Sequence, residues 1–522
     1  MKNFAWMGLV LCALLALSGC TSPHEGYRIE EGVLVFDTPP REPGQQSVLG
    51  LAVEPIPVVR VGFIGLGMRG PGAVERFTHL DSVRIVALCD LYPERVASAQ
   101  RILAERGLPA AAEYSGEEGW KELCRRDDID LVYICTPWQL HVPMAVYAME
   151  QGKHVAVEVP AATSLEECWQ LVNTAEKRQR HCMMLENCVY DFFELTTLNM
   201  AQHGLFGELL EAEGAYIHNL EPFWDYYQGN WRLEFNRTHR GDVYATHGLG
   251  PVCQLFDIHR GDRMRYLVAM DTPSVNGLKL AREKTGADSF ANGDHTLTLI
   301  RTERGRVIHL QHNVYTPRPY SRMYSVTGSE GYASKYPVEG YAFRPAQLFG
   351  AGVPDLENLS EHAFLPDAAR EALMRRYEHP IAAEIAGKAK QVGGPRRHGL
   401  HHGLPAGLLS APRASARPGC LRCGRVVLHR GADDRLARAE QHAGGRARLH
   451  AGRLEQGRRL PPRHGPLTRR LSDPPACRLL PADAPPHRSA APPVGVFDSP
   501  GRGMPARRRA ASPVRRPAGR SV

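Results

Sequence analysis

The sequence predicts an α/β protein: a doubly wound parallel sheet, then a second α/β domain with a mainly antiparallel open sheet, then an aberrant disordered tail. Three observations predict it. Short apolar runs (VVRVGFIG, VRIVALCD, IDLVYIC, KHVAVEV) recur with helical segments such as AVERFTHL and MAVYAMEQG between them. Strand alternating with helix at that interval builds a parallel sheet. The first run passes straight into GxGxxG at Gly65, Gly67 and Gly70. Beyond residue 185 the texture changes, and strand-like LLEAEGAYIHN, HTLTLIRTERGRVIHLQHNV and YSVTGSEGYASKYP are broken by turn signals such as ERG and GSEG, as in antiparallel sheets.

Taken in order, residues 1–20 (MKNFAWMGLVLCALLALSGC) place one lysine and an apolar run before LSGC. That pattern is a bacterial lipoprotein signal, cleaved before Cys20 with acylation of its thiol; the run is short for a bilayer span. The expected location is the cell envelope, anchored by that lipid, with the outer membrane favoured because Thr21 gives no retention signal of the Asp type. Residues 21–55, with Pro and Gly clusters, read as a tether. Residues 56–185 form the dinucleotide-binding domain and 186–391 the substrate domain, which closes on the helical PDAAREALMRRYEHPIAAEIAGKAK. The scattered cysteines read as buried thiols, and the lone CxxC at Cys420 and Cys423 lacks the partners of a zinc site, so no metal is expected. A homo-oligomer is compatible with the sequence, which fixes no state.

From Val392 to Val522 the chain holds 26 Arg, 7 acidic residues and no Lys, a charge of +19, so the overall +8 leaves −11 for the first 391 residues. The body is acidic, which excludes a basic-protein reading of it. The tail does not read as nucleic-acid binding either, because such segments use Lys as well as Arg against phosphate.

The glycine motif has the context that gives it chemistry. It follows a strand, opens a helix, and is followed by Asp90 at the end of the next strand. Gly65 permits the tight turn, Gly67 lets the backbone reach a pyrophosphate, and the helix N-terminus supplies its dipole. A carboxylate at Asp90 bonds a ribose 2′-hydroxyl and repels a 2′-phosphate, favouring NAD over NADP. In CTPWQLH, Trp138 and His141 follow the third strand, placed either to line the nicotinamide side or to serve as a packed Trp and a solvent His; Glu158, Val159 and Pro160 end the fourth.

The order GxGxxG, strand-end Asp, CTP and E-x-P resembles the Gfo/Idh/MocA oxidoreductases, which implies a Rossmann domain followed by a domain whose open sheet covers the nicotinamide. Val159 stands where that family usually has a catalytic lysine, which argues against a simple sugar dehydrogenase. MMLENCVYDFFELTTLNM, GNWR, YATHGLGPVCQLFDIHRGDRM, TPRPYSR and GYASKYP resemble, more narrowly, glycoside hydrolase family 109, over residues 56–391. That resemblance implies an NAD-dependent hydrolase of terminal α-N-acetylgalactosaminides, acting on amino-sugar glycans. It implies NAD contacts at Met68, Arg69, Asp90, Trp138, His141, Glu158, Val159 and Asn187. Substrate contacts fall at Tyr216, Arg232, Tyr244, Thr246, His247 and Tyr320, with Tyr315 and Tyr324 close to the last.

Ordinary glycosidases use two carboxylates, and no such pair stands out in these motifs. A redox route needs oxidation at C3 of the sugar, elimination across C2 and C1, water addition and re-reduction, after which the cofactor is as it began. Tyr244 and His247, three apart in YATH, suit the proton transfers, with Glu158 as orienter or auxiliary base, and the fork of Arg232 suits a hydroxyl or acetamido oxygen. The alternatives are a plain NAD-dependent sugar oxidoreductase and an inactive remnant. The remnant is motivated by the tail, whose Arg, Pro, Ala and Gly have GC-rich codons, as a shifted reading frame produces. One permitted codon set from Pro395, CCA CGG CGG CAT GGA CTT CAT CAT GGA, read in the frame beginning at CAC, spells His-Gly-Gly-Met-Asp-Phe-Ile-Met, which resembles the family's continuation.

Overall fold

The computed structural model describes residues 27–30, 33–360 and 362–384, together with the backbone of 447–450. Cys20 and its signal, the CxxC of the tail and the shifted-frame segment at Pro395 lie outside the described residues. Among those residues no helix is long and apolar enough to cross a membrane.

Six parallel strands build the first sheet: β3 (Val59–Ile64), β4 (Val83–Asp90), β5 (Ala112–Ser115), β6 (Leu131–Ile134), β7 (His154–Val157) and β8 (Cys182–Met184), in the order β5-β4-β3-β6-β7-β8. The crossovers are α1 (Gly70–Phe77), α2 (Pro93–Glu105), α3 (Gly119–Cys124), α4 (His141–Glu150) and α5 (Leu165–Arg178). Helices on both faces explain why β6 and β7 are buried at every residue, and why they read as continuous apolar runs without alternation. The strand order reverses between β3 and β6. That switch point leaves a crevice at the carboxyl ends of the strands, where the glycine turn, Trp138 and Glu158 all lie.

The second sheet has ten strands. They are β1 (Tyr27–Glu30), β2 (Val33–Phe36), β9 (Leu209–Ile217), β10 (Met264–Asp271), β11 (Thr296–Thr302), β12 (Val307–Asn313), β13 (Tyr324–Gly328), β14 (Gly331–Ser334), β15 (Gly340–Phe343) and β16 (Ala447–His450), ordered β1-β2-β16-β10-β11-β12-β9-β13-β14-β15. The pairs are antiparallel except β9 with β12 and β10 with β16. Strands β1 and β2 lie within the stretch expected to be a tether; Tyr27 pairs with Phe36 and Glu30 with Val33, and Val35 is fully buried. Likewise β16 falls in the segment read as a disordered tail. Five helices accompany this sheet: α6 (Phe192–Gln202), α7 (Trp231–Thr238), α8 (Thr246–Leu255), α9 (Asn276–Thr285) and α10 (Asp367–Arg376).

One contact sets the site. A Cβ on Gly214 of β9 would lie 2.3 Å from the Gly248 carbonyl oxygen of α8, and a Cβ on Gly248 2.6 Å from the Ala215 nitrogen. Two glycines thus let helix and strand backbones touch, and Tyr216, two residues past Gly214, lies on the same face of β9. A single apolar cluster runs from Val157, Val159 and Trp138 of the first half to Tyr216, Trp224, Tyr244 and Tyr315 of the second. All seven cysteines among the described residues are free; Cys135, Cys168 and Cys182 are only partly buried, so the expectation of buried thiols holds for the other four.

Candidate active site

The cofactor end is made by backbone. Gly65 has φ +92°, and a Cβ there would sit 2.7 Å from the Cys135 carbonyl, so the turn takes only glycine without strain. A Cβ on Gly70 would lie 2.1 Å from the Gly65 oxygen, whereas one on Gly67 would meet only the Arg95 guanidinium at 3.3 Å. Arg69 caps α1 without a side-chain bond to it, which leaves the first amides of the helix for an anionic group. Asp90 is buried; its Oδ2 accepts from Leu66 N–H at 2.6 Å and its Oδ1 from Tyr92 N–H at 3.0 Å, with Arg95 at 3.4 Å. The carboxylate therefore ties the second strand to the glycine turn. Shape, free amides and strand-end carboxylate fit a dinucleotide. Met68 is 57% exposed at the rim.

Two expected cofactor contacts have structural work. His141 is buried, with Nδ1 2.7 Å from the Pro160 oxygen and Nε2 2.8 Å from the Thr136 oxygen, and burial lowers its pKa. It straps two strand-end loops together and offers no free ring nitrogen to a ligand. Val159 packs in the core, and its carbonyl lies 3.4 Å from the Tyr244 hydroxyl. Glu158 accepts the Tyr133 hydroxyl at 2.9 Å. Asn187, half-buried, opens the turn that follows Glu186.

The opposite end is made by side chains. Tyr244 and His247 come within reach as expected, ring centroids 4.9 Å apart. Tyr244 stacks on Trp138 at 5.2 Å, and Tyr216 stacks on His247 at 5.2 Å. Burial raises the Tyr244 phenol far above its ordinary value, so it stays protonated. Arg232 is buried in a cage of aromatic rings, its guanidinium carbon 4.9 Å from Trp138, 4.8 Å from Tyr244 and 5.1 Å from Tyr227. Its Nη1 donates to the Tyr227 hydroxyl at 2.6 Å, its Nη2 reaches Tyr216 at 3.5 Å, and Nε has no partner. Among the described residues it has no carboxylate in ion-pair range. Burial opposes its charge, but the surrounding tyrosine oxygens outweigh that and hold it cationic. Thr246 is buried with its hydroxyl unpartnered. Tyr320 is 50% exposed and stands at the mouth.

Four residues escaped the sequence reading. Glu186 Oε1 accepts from His247 Nδ1 at 2.6 Å, both side chains being buried. Burial lowers the His247 pKa, Arg322 and Arg69 lower it further and Glu186 works against them; Glu186, held by His247 and the Cys188 amide, lies below the usual carboxylate range. The pair is therefore carboxylate and neutral imidazole, with the proton on Nδ1 and Nε2 left as a base. Arg322 lies over the Tyr216 ring at 4.1 Å. His218, two residues past Tyr216, is pushed down to about 4 by burial and by Arg322, Arg232 and Arg69. Glu186 sat in the quoted MMLENCVYD, but nothing local marks it, since its partner is 61 residues away. Asp242 accepts the Tyr244 N–H at 3.2 Å, and burial pushes its carboxyl up to about 7.

Donor atoms of Glu186, Cys188 and His247 all lie within 4.8 Å of one another, a set that could take a soft divalent ion. The direct Glu186–His247 hydrogen bond already uses two of them.

Residues 59–186 match the oxidoreductase family with an NAD-binding Rossmann fold, and residues 190–399 match the glycosyl hydrolase 109 C-terminal domain. Glycosyl hydrolase family 109 protein 1 of Bacteroides fragilis is 61% identical over 383 residues, 73% of this chain and 82% of the relative. The family 109 protein of Porphyromonas gingivalis is 57% identical over 390 residues, 74% and 83% of the two chains. Among solved structures, scyllo-inositol dehydrogenase from Lactobacillus casei matches 68% of this chain and 96% of its own at 15% identity and a TM-score of 0.44, too distant to bear on chemistry.

Proposed function

Because the chain belongs to glycoside hydrolase family 109, we propose that it is an NAD-dependent hydrolase of terminal α-N-acetylgalactosaminides, held at the cell envelope by a lipid on Cys20. The observation that carries the reading is the 2.6 Å Glu186–His247 bond, set beside Tyr216, Tyr244 and Arg232 in a cleft whose other side is an NAD-binding fold. The glycine turn, the open end of α1 and Asp90 would hold NAD, which when bound supplies reversible oxidation at C3 of the sugar.

The C3 hydroxyl proton released in that oxidation goes to solvent and returns on re-reduction, and the chain's own residues do the rest. His247 Nε2 takes the proton from C2, and Glu186 stabilises the imidazolium that results. Tyr244, protonated at neutral pH, hands a proton to the departing glycosidic oxygen. Arg232, held cationic among the rings, would steer a hydroxyl or the acetamido oxygen by its charge. Trp138 and Tyr216 wall the site from water, which strengthens each of these interactions. Glu158 and Glu186 are each committed to a protein partner, Tyr133 and His247, which suits this route better than a carboxylate pair.

The full chain, given the glycoside and NAD, is expected to release aglycone with no net NADH and to exchange C2-deuterium of the substrate with solvent. Steady NADH production would instead make it a sugar oxidoreductase. For the anchor, Cys20→Ser is expected to move the protein from the membrane fraction to the soluble one.

A further inference from the structure

The segment directly after β9 holds a feature that the hydrolytic site does not use. Residues Glu221–Tyr226 form a short 3₁₀ turn, in which side chains three apart fall on one side. Phe223 and Tyr226 are three apart, 42% and 67% exposed, with ring centroids 6.1 Å apart and planes 33° apart. Between them Trp224 points the other way. It is 1% exposed and stacks on Tyr315 at 5.9 Å and 7°. The turn is pinned by Leu220 N–H to the Val314 oxygen at 3.0 Å, Phe223 N–H to the Leu220 oxygen at 2.8 Å and an ion pair of Asp225 with Lys284. Two aromatic rings are thus held in water by a buried anchor.

These rings are continuous with the site. Phe223 lies 5.5 Å from His218, His218 lies 6.0 Å from Tyr216, and Tyr216 stacks on His247. Tyr320, also exposed, meets the same His218 ring at 5.1 Å. A pyranose carries C–H bonds on its faces and hydroxyls on its rim, so a flat, rigid aromatic ring covers its apolar face while the rim stays hydrated.

We infer that Phe223 and Tyr226 form an aglycone platform, which takes the sugar rings next to the terminal residue of an oligosaccharide. The inference rests on the proposed glycosidase reading, in that it takes the terminal sugar to sit at Tyr216 and His247. Binding by the platform is the same in ground and transition states, so it lowers KM and leaves kcat unchanged.

The test compares a methyl α-N-acetylgalactosaminide with a trisaccharide bearing the same terminal residue, on the full chain with NAD. In Phe223→Ala/Tyr226→Ala, KM for the trisaccharide is expected to rise about tenfold, with kcat and the methyl glycoside within twofold of wild type. Phe223→Tyr/Tyr226→Phe is expected to restore the trisaccharide KM. Equal losses on both substrates, or no loss on the trisaccharide, would overturn the platform. Should wild type cleave neither glycoside, the glycosidase reading fails, and calorimetric binding of the trisaccharide decides the platform: weaker binding to the double variant supports it, and equal or absent binding overturns it.

Discussion

The glycine turn and the proposed sugar face lie on opposite sides of one cleft and are built on different principles. The turn is backbone: Gly65, Leu66 and Gly70, with Asp90 bonding the Leu66 amide, all from one strand–helix–strand unit. The sugar face is side chain: Glu186 from the turn after β8, Tyr216 from β9, Arg232 from α7, His247 from α8 and Arg322 before β13, joined by buried bonds and stacked rings. The first is specified by the residues next to each other in the chain. The second exists only once a strand and a helix touch through Gly214 and Gly248.

Breaking the sugar face at its centre is expected to have the largest effect. His247→Ala and Tyr244→Phe should each lower turnover about a hundredfold or more, as for lost acid–base groups, with NAD affinity within threefold of wild type by fluorescence titration. Wild-type turnover in both would remove them from the chemistry.

Glu186→Gln sharpens the comparison. Turnover should fall about tenfold, because Gln holds the ring without stabilising its charge. The carboxylate raises the His247 pKa, so its loss lowers that pKa, and the acid limb of the kcat/KM profile should move to lower pH. An unshifted limb would mean that Glu186 acts only in packing.

On the other side of the cleft, Asp90→Ala should weaken NAD about tenfold and narrow its preference over NADP, leaving kcat at saturating NAD near wild type. Unchanged NAD affinity would place the ribose elsewhere.

The smallest effect is on stability. His312 lies behind Tyr216, its ring nitrogens unpartnered, and burial pushes it down to about 3; desolvation pushes buried His154 and half-buried His259 down to about 4. Unfolded, each takes a proton near pH 6.5. The unfolded state then binds more protons, so stability is complete above about pH 6.5 and falls as pH drops toward 4, by roughly 1 kcal/mol per unit for each such histidine. Melting from pH 7 to 5 should show the decline, and His312→Phe should flatten it.

These cases divide what was legible from what was not. The expectations for Gly65 and Asp90 came from a pattern whose physical causes, a left-handed turn and a strand-end carboxylate, are local. Tyr244 and His247 were legible because they share one short string. The bonds of His141 were not legible, because a histidine after a strand end looks the same whether its ring nitrogens face a cofactor or, as here, the carbonyls of Thr136 and Pro160. Strands β1 and β2 fell in the expected tether because four-residue apolar runs show a partner only when the two strands pair.

By itself the sequence determined the parallel sheet, the glycine turn with its carboxylate, and the family, since periodicity, turn chemistry and long strings all act between neighbours in the chain. Only the tertiary structure decided that Glu186 bonds His247, that Arg232 sits caged among aromatic rings, and that Phe223 and Tyr226 stay in water while Trp224 is buried. Burial and close contact across the fold produce these, and a linear order of residues records neither.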